Sequence, residues 1–265
     1  MTIRLCIFGN SHVAALRDAW LRHPERWPNI TADFIGAHRN GLLETQIDGQ
    51  RLAPFTGQSA TYFAAINKCN TVDLRAYDGF VIAGALVSAA VTLQLYREAR
   101  WPELPSLAKT ALKKRLLISD NAAAAFCQAK LAARLGPLFA THLRSGGVTA
   151  PIWITSQPRL SAACRARGCS PSKTLSRALR SGDGPALSAL FDSAADAACQ
   201  AAGARFLAQP EQSRQSALLT RPCFMNGAIR LTGLGREKQP KQDFMHANAT
   251  YGAAVLDQIA AAALP

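Results

Sequence analysis

Apolar residues follow two rhythms along the chain. Short runs rich in Ile, Val, Leu and Phe occur at "IRLCIF" (3–8), "ITADFIGA" (30–37), "DGFVIAGAL" (78–86), "PIWITS" (151–156) and "ARFLAQP" (204–210). Their length and β-branched content predict buried strands. Between them the apolar positions recur at three- and four-residue spacing, which predicts helices. Val13, Leu16 and Trp20 share one face of a helix over 13–21 that stops near Pro24. Further helical stretches fall at about 88–100, 105–118, 121–143 and 185–202, and a last one over 249–263 repeats Val255, Ile259 and Ala262.

Buried strands separated by helices imply a parallel sheet covered on both faces, because parallel strands need crossovers. Right-handed crossovers wind such a chain into a three-layer α/β/α sandwich, here with a five-stranded, flavodoxin-like parallel sheet. No internal repeat or low-complexity linker divides residues 1–265. They read as one domain carrying a basic surface insertion at about 159–185.

In this architecture the ligand site lies beyond the carboxyl ends of the strands, so the residues after each strand carry the chemistry. The first strand ends in "FGNSH", which puts Ser11 where the chain turns into its first helix. Asn and Ser are good helix caps, yet the unpaired amides and positive dipole of a helix start also stabilise an oxyanion. At the other end of the chain, "DFMHANATYGAAVL" sets Asp243 and His246 three residues apart, directly before the last helix. That spacing projects both side chains to one side. A carboxylate can then hold the imidazole while its other nitrogen takes a proton from a hydroxyl.

Together, "FGNSHVAAL" and "DFMHANATYGAAVL" resemble the first and last conserved blocks of the SGNH (GDSL-type) hydrolases, nearest to the bacterial branch whose first block reads G-[DN]-S-H. The resemblance implies the SGNH hydrolase fold, Ser11 as nucleophile, His246 as base and Asp243 as its orienting acid. It also implies an oxyanion hole made by the serine N–H, a glycine after the second strand and an asparagine after the third. Gly36 and Gly41 both fit the glycine, and spacing does not choose between them. The asparagine is missing: "GALV" puts Leu86 in its place. Substitute donors at this edge are the Gly84 or Ala85 backbone N–H and Asn40, with Ser156 and Gln157 after the fourth strand. His12 belongs to the same block and reads either as an exposed first-turn histidine or as a residue that hydrogen-bonds substrate.

The activity so implied is hydrolysis of a short, acetyl-like O-acyl ester on a carbohydrate through an acyl-enzyme on Ser11. An O-acyltransferase with the same triad is the alternative, as is a catalytically weak protein of the same fold that binds a glycan or nucleotide-linked ligand.

Composition narrows the setting. An apolar content of 49% with 18% charged residues is that of an ordinary globular protein. Leu5–Phe8 is too short for a signal-peptide core, and no window has the roughly 20 apolar residues of a membrane helix. A cytoplasmic protein without membrane contact is expected. The seven cysteines form no CxxC pair, and no metal or phosphate-loop motif is complete ("GLGREK", 233–238, lacks its third glycine), so neither metal nor cofactor is expected.

The net charge of +13 gathers at Lys113-Lys114-Arg115 and in Arg159, Arg165, Arg167, Lys173, Arg177 and Arg180, a stretch without acids. With no aromatic interleaving and no nucleic-acid motif, it reads as a solvated face suited to an acidic ester substrate rather than to nucleic acid.

Overall fold

In the first strand, β1 (Ile3–Gly9), successive side chains enter two different cores. Leu5 and Ile7 pack with Val13, Leu16, Tyr251, Val255 and Ile259. Cys6 and Phe8 pack with Phe80, Phe139 and Phe191. A strand buried on both faces needs a layer on each side, and the computed structural model supplies them. It describes residues 2–55, 57–109, 115–167, 170–232, 237–240 and 243–264.

The other strands of the main sheet are β2 (Ile30–Gly36), β3 (Gly79–Ala83), β4 (Ile152–Thr155) and β5 (Arg205–Leu207). All neighbours are parallel, in the order β5-β4-β3-β1-β2. This is the doubly wound order of flavodoxin-like sheets. One layer holds α1 (Val13–Arg22) and the last helix, α8 (Ala249–Ala263). The other core takes side chains from α2 (Gly57–Asn67), α3 (Ala90–Glu98), α4 (Asp120–Ala132), α5 (Leu135–Ser145), α6 (Ser170–Arg180) and α7 (Gly184–Ala201). The fold is a three-layer α/β/α sandwich.

The register brings the strand ends into one row. Gly36 pairs with Gly9, Gly9 with Ala83, Ala83 with Thr155, and Thr155 with Leu207. Everything that follows these residues opens on the same edge.

Several elements differ from the pattern read in the sequence. The helix expected over 121–143 is two helices, because Pro137 has no amide to give the preceding turn and so sits in the first turn of α5, which begins anew at Leu135, instead of continuing α4. The stretch 105–118 is not one helix: Leu107–Lys109 makes a single 3-10 turn, Leu116–Leu117 pairs with Ala99–Arg100, and residues 110–114, with Lys113 and Lys114, lie outside the described residues. Helix α2 gave no apolar stripe to read, since only Phe63 of it is buried.

The presumed surface insertion is partly core. Leu175 and Ala178 of α6 are fully buried. Arg159, counted in the solvated basic run, is 3% exposed, bonded to Ser188 Oγ at 2.6 Å and paired with Asp192 at 3.3 Å. Residues 233–236 of "GLGREK" lie outside the described residues.

Candidate active site

The turn after β1 is built by Asn10. Buried at the strand end, it accepts the Val13 N–H on its carbonyl and the His12 N–H on Oδ1, at 3.0 and 3.2 Å. This Asx-type turn lifts Ser11 clear of the sheet edge just before α1. The Ser11 N–H has no partner among the described residues.

The opposite side of the site comes from the loop before α8. Asn248 caps that helix by accepting the Tyr251 N–H, while its Nδ2 donates to the carbonyls of Cys223 and Asn226 at 2.8 and 2.7 Å. The cap thus ties the loop to the segment behind it. The loop is placed next to Ser11 because α1 and α8 pack side by side. They approach so closely at Gly252 that an added Cβ would overlap the Ala15 carbonyl.

These supports bring together residues 235 positions apart. His246 Nε2 lies 2.8 Å from Ser11 Oγ, and His246 Nδ1 lies 2.8 Å from Asp243 Oδ2. An ionised carboxylate can only accept, so Nδ1 carries the ring proton. Nε2 is then the acceptor facing the serine hydroxyl.

Asp243 Oδ1 also accepts the amides of Met245 and His246, at 2.8 and 2.7 Å. Burial works against the Asp243 charge, but the ring and amide bonds outweigh it and hold the carboxyl down at about 2. The Asp243 carboxylate is therefore ionised at neutral pH.

His12 lies flat against His246, ring centroids 5.0 Å apart and planes 22° from parallel. Burial, reinforced by His246 and only partly offset by Asp243, lowers His12 from 6.5 to about 3.

The expected oxyanion donors fare differently. Gly36 N–H donates to Asn67 Oδ1 at 2.7 Å, and Asn67 Nδ2 returns a bond to the Gly36 carbonyl. Gly41 N–H is spent on His38 O at 2.9 Å. Both glycine amides are committed within the fold, which corrects the choice between them: neither is free to face an oxyanion. Gly84 N–H is likewise taken, by Thr155 Oγ1 at 3.1 Å, and Ala85 N–H by Ala83 O at 2.8 Å. Asn40 is exposed and begins the 3-10 turn Gly41–Glu44.

What remains at the β3 end is an unusual turn. Gly84, Ala85 and Leu86 have φ of +69°, +35° and +65°, and Val87 N–H closes the turn on Gly84 O at 2.8 Å. Positive φ costs a non-glycine residue about 1 kcal/mol or more, so the surroundings must hold it. They do: Gly136 N–H, at the start of α5, bonds Ala85 O at 2.9 Å, and Gln157 N–H bonds Val87 O at 2.7 Å.

The turn leaves the Leu86 N–H without a partner among the described residues. The Ser11 N–H, expected from the sequence, is thus unpartnered among the described residues, as is the Leu86 N–H, which the sequence reading did not name. Thr155, which takes up the Gly84 amide, was not singled out in the sequence; its place at the carboxyl end of a central strand was the available signal. Among the described residues no group of His, Cys, Asp and Glu could hold a metal ion, and no helix is long and apolar enough to cross a membrane.

No protein-family model and no curated protein matches the chain. Among solved structures, the crystal structure of a DUF4886 family protein from Bacteroides uniformis ATCC 8492 is similar over 97% of this chain and 82% of that one, with 10% sequence identity and a TM-score of 0.45.

Proposed function

We propose that the protein is a serine ester hydrolase of SGNH type that removes short, acetyl-like O-acyl groups from a carbohydrate. The observation that carries this reading is the continuous chain Asp243 Oδ2–His246–Ser11 Oγ, with both links at 2.8 Å. In the acylation step Ser11 Oγ attacks the ester carbonyl as its proton passes to His246 Nε2. The tetrahedral oxyanion faces backbone N–H groups at the edge of the sheet. Its collapse expels the sugar alkoxide, which takes the proton from His246 and leaves an acyl-Ser11 ester. Water, deprotonated by the same nitrogen, releases the acid and restores the serine. Transfer of the acyl group to a second sugar hydroxyl would use the same residues.

A second reading has its own observation. The amides of Gly36, Gly41 and Gly84 are all committed, and Leu86 brings no side-chain donor. Losing one oxyanion donor typically costs about 3–4 kcal/mol of transition-state stabilisation, so a protein of this fold that binds a glycan ester with little turnover is the alternative.

Reaction with a fluorophosphonate, followed by hydrolysis of p-nitrophenyl acetate, separates the two. The hydrolase reading expects stoichiometric labelling at Ser11 and a loss of about three orders of magnitude or more in Ser11→Ala. Labelling without turnover favours the binder. An unlabelled, folded wild-type protein removes the nucleophile assignment.

A further inference from the structure

His12 has no task in that mechanism, yet it is one of the most firmly placed side chains at the site. Its amide is fixed by Asn10 Oδ1, and its Cβ is backed against Gly84, where an added methyl group would come within 2.9 Å of it. Gly84 has φ of +69° and so meets two demands at once. Neither ring nitrogen of His12 is engaged with any described residue, whereas its face is set nearly parallel to that of His246. A ring placed for hydrogen bonding would direct an edge at its neighbour; this one presents a face.

We propose that His12 is a positioning residue for the base: an uncharged aromatic platform that keeps the His246 ring in the plane joining Asp243 to Ser11 and favours its imidazolium form. The inference rests on the hydrolase reading above. Two physical effects support it. His246 is partly exposed, with 21% of its side chain accessible. Its bonds to Asp243 at Nδ1 and to Ser11 at Nε2 both lie at ring edges, so the ring can still tilt about the line joining them unless a face is covered. When Nε2 takes the serine proton, the new cation lies over an aromatic face within the roughly 6 Å at which such contacts are attractive.

That attraction requires the platform to stay neutral. The titratable groups facing His12 are His246 and Asp243, and burial together with the His246 charge keeps His12 unprotonated down to about pH 3. The platform therefore remains uncharged while the base charges.

The test is the rate at which a fluorophosphonate modifies Ser11, measured against pH in wild type, His12→Ala, His12→Phe and His12→Asn. Alanine should slow the reaction about tenfold or more, phenylalanine should recover most of that loss, and asparagine should not. In proton NMR, the ring-current shift of the His246 carbon-bound protons should vanish in His12→Ala and persist in His12→Phe. Wild-type speed in His12→Ala overturns the platform alone. Rescue by Asn but not Phe overturns it too, because the ring would then act through a hydrogen bond. A wild-type protein that does not react takes down the hydrolase reading and the platform with it.

Discussion

The two oxygens of Asp243 are divided between the backbone and the His246 ring. Oδ1 holds the Met245 and His246 amides, and Oδ2 holds the ring. Asparagine in this place would keep its oxygen on the two amides and turn its NH2 toward Nδ1. The ring would then have to accept at Nδ1 and carry its proton on Nε2, so Ser11 would lose its acceptor while the loop kept its shape. Asp243→Asn should therefore slow Ser11 acylation by about 10⁴-fold. Because the pair acts as a unit, Asp243→Asn/His246→Ala should be no slower than His246→Ala alone. Fluorophosphonate labelling rates decide this, and losses that multiply would show that the two residues act separately. These residues were legible in the sequence because each punctuates a strand-to-helix or loop-to-helix junction. The unpartnered Leu86 N–H was not. A leucine in a left-handed turn leaves no trace in composition or spacing, and only the committed amides of Gly84 and Ala85 single out the Leu86 N–H.

The decisive elements are α1 and α8, which carry the two halves of the site. Their helical periodicity was plain, with Val13 and Leu16 on one and Val255 and Ile259 on the other. That they lie against each other follows from the sheet order, which puts β1 in the interior and returns the chain to the same face at its end. The closeness of the contact depends on a single hydrogen atom. Gly252→Ala would drive a methyl group into the Ala15 carbonyl, and backbone cannot yield as a flexible side chain does. The helices must separate, and with them Ser11 and His246. We expect a loss of about 1–3 kcal/mol in urea unfolding, typical of overpacking, and a drop of about 10²-fold or more in labelling, since a displacement near 1 Å is that costly to an aligned site. Full labelling in a destabilised Gly252→Ala would show that the loop before α8 positions His246 without the helix contact. Two elements were misread for different reasons. Helix α2 buries only Phe63, and α6 lies in a stretch where six cations obscured Leu175 and Ala178.

Over the whole molecule, the same arrangement that serves the site sets how stability depends on pH. His12 is held at about 3 instead of 6.5. Between those values the unfolded chain binds a proton at this residue and the native protein does not, so stability rises with pH across the interval and falls as the solution is acidified from about 6.5. The slope is about 1.4 kcal/mol per pH unit where fully developed, and the partial exposure of His12 reduces the total. Asp243 acts in the same direction lower down. Its carboxyl is at about 2 in the native state against an ordinary 3.8, so its contribution is fully present above about 4 and disappears as pH falls through 2. The net charge of +13 adds general repulsion on the acid side, but it does so equally in variants that leave it unchanged. Replacing His12 by Phe removes the titrating group while keeping a ring in place. Its melting temperature should therefore match or trail wild type at pH 7.5 and overtake it progressively between pH 6 and 4, by about 2–4 °C for each kcal/mol. Asp243→Asn should instead leave that interval unchanged and flatten only the fall below about pH 4. Parallel melting curves for wild type and His12→Phe at every pH would mean that His12 titrates normally in the native protein. The ring against His246 would then be charged under mildly acidic conditions, and the two imidazoles would oppose each other instead of acting as platform and base.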